Sequence, residues 1–363
     1  ALLSTVCACA ALAVLALACC SSRTTAAPDP VTGSPVAEPD AAAPTDSGGV
    51  MRFGVNGGMY PGIDAGADRI HQVTRELDEL GAVWLRNAGR DMAWFDMQPT
   101  RDVWDFSKFD AVMEGNDHPW VFMLYRWDAY PFGGFSARAM QESGSKRAMA
   151  KEISDHQTDL ARAEHRADAE VYIKKVVGRY KDRIHHWEVG AEGLRSPGRF
   201  EFIRHTYGWV KEADPDAQVL VTAVAGDSEA MFDRNMDALD KLLERGAGDY
   251  FDLGNIHYYG LTGDDLEERI ERRFGEYRAL LDSHGVDAPI WVTETGTSSH
   301  ADSRLSGKSS ERAQARDVVR RFVVFAAVGA ERVIWHNYRV TSPADHFHEC
   351  NLISARGGPK PAY

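Results

Sequence analysis

From residue 50 onward, short apolar segments alternate with longer amphipathic ones, and this alternation limits the possible folds more than any other feature of the sequence. Eight apolar segments have the length of β-strands: Met51–Val55, Val83–Arg86, Trp120–Tyr125, Ile184–Val189, Gln218–Thr222, Phe251–His257, Ile290–Thr293 and Arg332–Tyr338. Seven segments predicted to be helical lie between them: Asp68–Leu80, Ser107–Gly115, Asp159–Tyr180, Phe200–Ala213, Met231–Arg245, Asp264–Ser283 and Ser310–Val328. Strands that alternate with helices pair in parallel through helical crossovers.

Eight such units predict that the strands close into a barrel. The expected fold class is therefore α/β, a single (β/α)8 TIM barrel over residues 50–363, and the chain of 363 residues is long enough for it. An open doubly wound sheet that binds a dinucleotide is disfavoured, because the glycines of Gly54–Gly58 have the wrong spacing for that motif. We expect no cofactor.

The first twenty residues differ in composition from the rest of the chain. They are mostly Ala, Leu, Val and Cys, and the first charged residue is Arg23. A short apolar run of this kind is typical of a secretory signal peptide. It ends in Leu17-Ala18-Cys19-Cys20, which resembles a bacterial lipoprotein signal with Cys19 or Cys20 as the lipidated residue. An ordinary secretory signal is the alternative.

Residues 21–49 predict a disordered linker. They are mainly Ala, Pro, Ser, Thr, Asp and Gly, and such a segment cannot bury enough apolar surface to fold. We therefore expect an exported protein, either lipid-anchored in a bacterial cell envelope or extracellular. The lipid anchor would be its only contact with a membrane, and the barrel domain is expected to be a monomer.

The charge of the chain argues against a nucleic-acid partner, and its cysteine content argues against a structural zinc site. The formal net charge is −13, and no run of Lys or Arg provides the basic face that a nucleic acid needs. Of the five cysteines only Cys350 lies beyond residue 20, so a structural zinc site of paired cysteines is not expected.

The carboxyl ends of the predicted strands carry polar and aromatic residues, and active sites of this fold lie at those ends. The candidates are Arg86, Glu192, His257, Tyr259, Glu294 and Trp335. Taken singly, each is more commonly a structural residue in an ion pair, a helix cap or the core. Together they place two carboxylates among aromatic side chains, as glycosidic bond cleavage requires. The expected partner is a carbohydrate substrate.

The order of these segments resembles glycoside hydrolase clan A, with families 39 and 5 as the nearest. The resemblance extends from Arg52 to Tyr363. It is carried by the segments Trp84–Arg86, Trp94, Gln98-Pro99, Trp104–Asp110, Arg179–Lys181, Trp187–Glu192, Ala213–Ala217, Phe251-Asp252, His257–Tyr259, Pro289–Gly296, Asn351–Ile353 and Gly358–Tyr363.

The resemblance implies a role for each candidate. Glu192 would be the acid/base, and Glu294 the nucleophile of a hydrolase that retains anomeric configuration. Its two carboxyl groups would lie roughly 5–5.5 Å apart. Arg86 and Tyr259 would contact the nucleophile, as the resemblance implies. It also gives His257 a place in the sugar subsite and makes Trp335 a stacking platform.

One position departs from the clan. Clan A enzymes usually carry an asparagine just before the acid/base, where it binds the sugar 2-hydroxyl, and this chain has Ala191. Two hypotheses therefore stay open: a retaining hydrolase of a β-linked poly- or oligosaccharide, and a barrel that binds carbohydrate without cleaving it.

A third hypothesis is a metal-dependent hydrolase barrel, prompted by His185, His186, His257 and His336. Barrels of that type usually have a His-x-His pair on the first strand. Because Met51–Val55 contains no histidine, we expect no metal site.

Overall fold

A ring of short parallel strands forms the centre of the molecule. The computed structural model describes residues 52–57, 66–87, 92–124, 160, 162–260, 262–301, 303, 306–307, 309–339, 348–354 and 357–363. Their nine strands are β1 (Arg52–Asn56), β2 (Trp84–Arg86), β3 (Trp120–Met123), β4 (His186–Glu188), β5 (Gln218–Leu220), β6 (Val224–Gly226), β7 (Gly254–Tyr258), β8 (Ile290–Thr295) and β9 (Arg332–His336). The predictions for residues 1–49 lie outside the described residues.

The strand order shows how the ring closes. It runs β5-β4-β3-β2-β1-β9-β8-β7-β6, and the pairs described are parallel. β5 pairs with β4 and β6 pairs with β7, so β5 and β6 are two parts of one barrel strand. A bridge between Leu220 and Leu253, with a 3.1 Å bond from the Val221 amide to the Leu253 carbonyl, links these edges. The predicted (β/α)8 barrel is confirmed.

Helices surround the ring. The α-helices of the described residues are α1 (Ala67–Leu80), α2 (Trp94–Met97), α3 (Ser107–Gly115), α4 (Ala163–Tyr180), α5 (Arg199–Ala213), α6 (Glu229–Leu243), α7 (Leu266–Ser283) and α8 (Glu311–Ala327). The one-turn helix α2 was not predicted. α6 begins two residues earlier than predicted, because the Ser228 hydroxyl caps it by accepting a hydrogen bond from the Met231 amide. Within the described residues no helix combines the length and apolar character needed to cross a bilayer.

Alternation along the strands divides the core into two layers. Residues of the larger cluster pack between the sheet and the helices, whereas a smaller cluster contains no helical residue and therefore fills the barrel interior. Its buried members are Trp84, Val121, Leu220, Leu253, Trp291 and Ile334.

An aromatic stack fills the amino end of this interior. The His186 ring lies 4.8 Å from Trp291 and 5.0 Å from Trp84, and the Arg332 guanidinium lies over both indoles. All four residues belong to the first or second position of their strands. The open end is therefore the carboxyl end, where polar residues replace the apolar ones.

Candidate active site

Strand register brings the polar residues together at the carboxyl end. Arg86 and His336 both pair with Asn56, so β2 and β9 place them on either side of β1. β8 contains one more residue than its neighbours at this level: Val292 and Thr295 oppose Val333 and Trp335, and Glu294 opposes His257. Such a bulge changes the direction of side chains. It allows the consecutive residues Thr293 and Glu294 both to contact His257.

Glu294 is the most heavily contacted carboxylate of the site. Arg86 donates to its Oε1 from Nη1 at 2.7 Å, and the Tyr259 hydroxyl donates to its Oε2 at 2.5 Å. The Nδ1 atoms of His257 and His336 lie 3.7 and 3.8 Å from Oε2. Burial favours a higher pKa of Glu294. The histidines, Arg86 and the Tyr259 hydrogen bond outweigh burial and lower that pKa, so the group is an anion.

Arg86 is itself held by a second carboxylate, Glu188. Both side chains are fully buried, and the guanidinium donates from Nε to Oε2 at 2.5 Å and from Nη2 to Oε1 at 2.9 Å. Asn255 donates a further hydrogen bond to Glu188 Oε1 at 3.1 Å. Bidentate pairing fixes the plane of the guanidinium. Glu188 therefore sets the direction in which Arg86 reaches Glu294.

Glu192 lies across the cleft from Glu294 and is joined to His257. Its Oε1 is 3.0 Å from His257 Nδ1, while His257 Nε2 is 2.8 Å from the Thr293 hydroxyl. Three polar atoms, one each from Glu192, His257 and Glu294, all lie within 4.8 Å of one another. The side chain of Glu192 is 35% exposed and that of Glu294 12%, so Glu192 is the more accessible carboxylate.

The structure brings Arg86, Glu192, His257, Tyr259 and Glu294 together, but it does not bring Trp335 to the cleft. Trp335 is fully buried in the outer layer, where its ring meets Phe322 and its Nε1 donates to the Cys350 carbonyl. The expectation that Trp335 forms a stacking platform for the sugar is therefore corrected. Alternation along β9 turns Ile334 and His336 inward and Trp335 outward, toward α8.

His336 occupies the inward position that sequence reasoning gave to Trp335. Its Nδ1 lies 2.8 Å from Asn56 Oδ1, and burial lowers its pKa. Glu188 is the other site residue that the sequence reasoning missed. A glutamate within the apolar run Ile184–Val189 was the available signal, because a carboxylate in a buried strand needs a partner.

The histidines that prompted the metal hypothesis do not form one cluster. His185 is exposed, and His186 belongs to the aromatic stack at the amino end. Among the described residues, the only three-residue group spaced for a metal is Glu192, His257 and Glu294. Arg86 already places its charge on Glu294, so a dication there would meet a fixed cation.

The shift in the pKa of Glu294 predicts an acid-dependent stability. Its folded-state pKa is below the ordinary 4.5, so the unfolded chain takes up a proton that the folded carboxylate does not bind. The stabilisation is present above about pH 4.5 and is lost as the pH falls below it. We expect the free energy of unfolding of wild type to fall more between pH 5 and pH 3 than that of Glu294→Gln. Urea titrations at several pH values test this, and parallel curves for the two proteins would contradict it.

The raised pKa of His257 acts in another pH window. Burial alone would lower it, but Glu294 and the contact with Glu192 raise it above 6.5. Its stabilisation is present below about pH 6.5 and is lost as the pH rises through the folded-state pKa.

Comparisons with known proteins agree on the fold. No protein-family model matches this sequence, and no curated protein matches it either. Solved structures do match. A family 39 glycoside hydrolase from Bacteroides cellulosilyticus is 17% identical with a TM-score of 0.58, over 85% of this chain and 61% of that one. This chain thus spans less than two thirds of that enzyme.

Two further structures are similar to the same extent. A family 10 glycoside hydrolase from Paenibacillus barcinonensis is 18% identical with a TM-score of 0.58, over 86% of this chain and 92% of that one. An exo-β-1,4-mannosidase from an Opitutaceae bacterium is 15% identical with a TM-score of 0.59, over 86% and 57%. The resemblance to clan A, with family 39 among the neighbours, is confirmed at the level of the fold.

Proposed function

We propose that this chain is a retaining glycoside hydrolase that cleaves a β-linked poly- or oligosaccharide. The observation that carries the proposal is the short separation of two unlike carboxylates: an oxygen of Glu192 lies within 4.8 Å of an oxygen of Glu294. Retaining glycosidases hold their carboxyl groups roughly 5–5.5 Å apart, whereas inverting enzymes leave about 6.5–9.5 Å for a water molecule. The short separation supports retention.

The environments of the two glutamates support separate roles. Glu294 is largely enclosed and is kept anionic by Arg86, Tyr259 and His257, as a nucleophile must be. Glu192 is more exposed, and among the described residues its one partner that can carry a positive charge is His257. A group in that position can give a proton to the leaving oxygen and later take one from water.

The proposed reaction has two steps. In the first, Glu294 attacks the anomeric carbon while a proton from Glu192 reaches the glycosidic oxygen and the bond to the leaving group breaks. In the second, water attacks the same carbon, its proton returns to Glu192, and the bond to Glu294 breaks. Arg86 and Tyr259 hold Glu294 in place through both steps and accept it back as a carboxylate.

Ala191 supports a second candidate, a carbohydrate-binding barrel without turnover. A methyl group at this position cannot make the 2-hydroxyl hydrogen bond, which strengthens in the transition state and supplies several kcal/mol. Ground-state binding would suffer less than catalysis. Ala191 is also consistent with a substrate whose sugar is modified at its 2-position.

A panel assay separates these functions. The neighbours named as xylanases, a β-galactosidase and an exo-mannosidase define the panel: β-1,4-linked xylo-, galacto- and manno-oligosaccharides, with gluco-oligosaccharides added. We expect hydrolysis of at least one, with the β-anomer appearing first in proton NMR spectra of the products. Initial release of the α-anomer would refute retention, and binding without hydrolysis would favour the second candidate.

We also propose that the enzyme is exported and tethered to a membrane through a lipid on Cys19 or Cys20. Its partner is the carbohydrate substrate, and its barrel is a monomer. The composition of residues 1–49 supports this proposal. Metabolic labelling with a palmitate analogue, compared between wild type and the Cys19→Ala/Cys20→Ala variant, tests the tether.

A further inference from the structure

The neighbours of His257 determine which of its two ring nitrogens carries the hydrogen in the neutral side chain. Asn255 donates from Nδ2 to two acceptors, Glu188 Oε1 at 3.1 Å and the Val221 carbonyl at 3.2 Å. Its Oδ1 must therefore be the atom that faces Thr293. The Thr293 hydroxyl consequently donates to Asn255 Oδ1, at 2.7 Å.

The orientation of Thr293 determines the tautomer of His257. A hydroxyl has a single hydrogen, so with that hydrogen on Asn255 the Thr293 oxygen can only accept from His257 Nε2, at 2.8 Å. Nε2 therefore carries a proton. Asn255, Thr293 and His257 are all fully buried, so water does not compete for these hydrogen bonds.

With Nε2 protonated, the neutral ring has a lone pair on Nδ1, 3.0 Å from Glu192 Oε1. Two acceptors at this distance need one proton between them. We infer that Glu192 and His257 share a single acidic proton, and that Asn255 and Thr293 are positioning residues which retain it by fixing the His257 tautomer. The inference rests on the proposed function and deepens it, because that proton is the one given to the leaving oxygen.

The charges around the pair favour retention of the proton. His257 faces Glu192 beyond β4, Glu294 on β8 and Glu188 on β4, whose Oε1 is 3.8 Å from Nε2. The opposing cation is Arg86 on β2, and burial lowers the pKa of His336 on β9, which disfavours a second positive charge. Three carboxylates thus surround His257 against one fixed cation. The raised pKa of His257 agrees with this balance.

Protons and electrons balance in both steps of the proposed reaction when the shared proton is the one transferred. In the first, it moves to the glycosidic oxygen, and the electron pair of the broken bond stays on that oxygen. This leaves a carboxylate on Glu192 beside a neutral His257. In the second, the attacking water loses one proton to the pair, which restores the starting state.

Thr293→Val is the variant that tests the inference. Valine removes the acceptor for Nε2–H, so the neutral ring can move its hydrogen to Nδ1 and donate to an ionised Glu192. The deprotonated pair is then stabilised by a hydrogen bond, and the pair gives up its proton more easily. We expect the basic limb of the kcat profile to move down by about one pH unit, with rates below that limb changed less than threefold.

Thr293→Ser is the matched control, because serine keeps the hydroxyl and should keep the wild-type profile. The substrate is the β-1,4-linked oligosaccharide of the panel that wild type hydrolyses fastest. A purely structural role for Thr293 would lower kcat equally at every pH and would leave the limb in place. That result overturns the inference, as does a shifted limb in Thr293→Ser.

Long-range ¹H–¹⁵N spectra of uniformly labelled protein test the tautomer without any substrate. Above the titration of the pair, His257 of wild type and Thr293→Ser should carry its hydrogen on Nε2, and that of Thr293→Val on Nδ1; His257→Gln assigns the signals. Hydrogen on Nδ1 in wild type overturns the inference. If wild type hydrolyses none of the oligosaccharides, the proposed function fails while these spectra still decide the proton arrangement.

Discussion

Replacing Glu294 with glutamine is expected to reduce kcat by at least about 10⁴-fold, because the amide cannot form the glycosyl-enzyme bond. Loss of a nucleophile costs about 10⁶-fold in a well-studied serine hydrolase, and the residual rate there comes from the oxyanion hole and binding. The expected loss is in kcat rather than KM, since the amide still offers an oxygen to Arg86 and a polar group to Tyr259. Initial rates on the oligosaccharide panel measure it.

Two controls make this result specific. Glu212→Gln changes an exposed glutamate that pairs with Lys174 on the outside of the barrel, and it should leave kcat unchanged. Far-UV circular dichroism and the urea midpoint of Glu294→Gln should show a folded barrel. If folded Glu294→Gln keeps more than a tenth of wild-type activity, Glu294 is not the nucleophile.

Arg86→Met is expected to lower the free energy of unfolding by about 3–5 kcal/mol, the usual effect of removing one partner from a buried ion pair. The cause is Glu188, which has no exposure and would keep only the Asn255 hydrogen bond and the 3.8 Å approach of His257 Nε2 among the contacts described. Glu294 also loses its 2.7 Å partner, so activity should fall sharply. Urea unfolding with a global fit of the slope measures the stability.

The double variant Arg86→Met/Glu188→Met separates stability from catalysis. It removes the fully buried Glu188 carboxylate that the single variant leaves without its cation, so much of the lost stability should return. Activity should not return, because Glu294 still lacks its cation. Equal instability of the single and double variants would mean that Arg86 contributes mainly by packing. Recovery of activity in the double variant would contradict the role given to the ion pair.

The barrel was predictable because its signal repeats. Eight apolar segments with helical segments between them leave few arrangements. The fifth predicted segment, Gln218–Thr222, covers β5 but ends before β6. The closeness of Glu192 and Glu294 was predictable for a related reason, since the carboxyl ends of parallel strands meet. What this pattern cannot supply is the direction of each side chain on a strand of three to six residues.

Three residues illustrate that limit. Trp335 and His336 are neighbours in sequence, and a shift of one position exchanges the inward and outward faces. The register that decides between them is the pairing of β9 with β1, which sets Trp335 opposite Val55 and His336 opposite Asn56. Glu188 was missed for a different reason: its partner Arg86 lies 102 residues away, and the motif around Glu192 gives no sign of that pairing.

The aromatic stack at the amino end of the barrel also determines at which end a ligand can enter and leave. Trp84, His186 and Trp291 fill the axis below Arg86 and Glu188, so the interior offers no passage between the two ends. Under the proposed function, substrate would therefore enter and product would leave through the same end of the barrel, and bound product would compete with the next substrate. Under the proposed function, product release would then depend entirely on the residues at the carboxyl end.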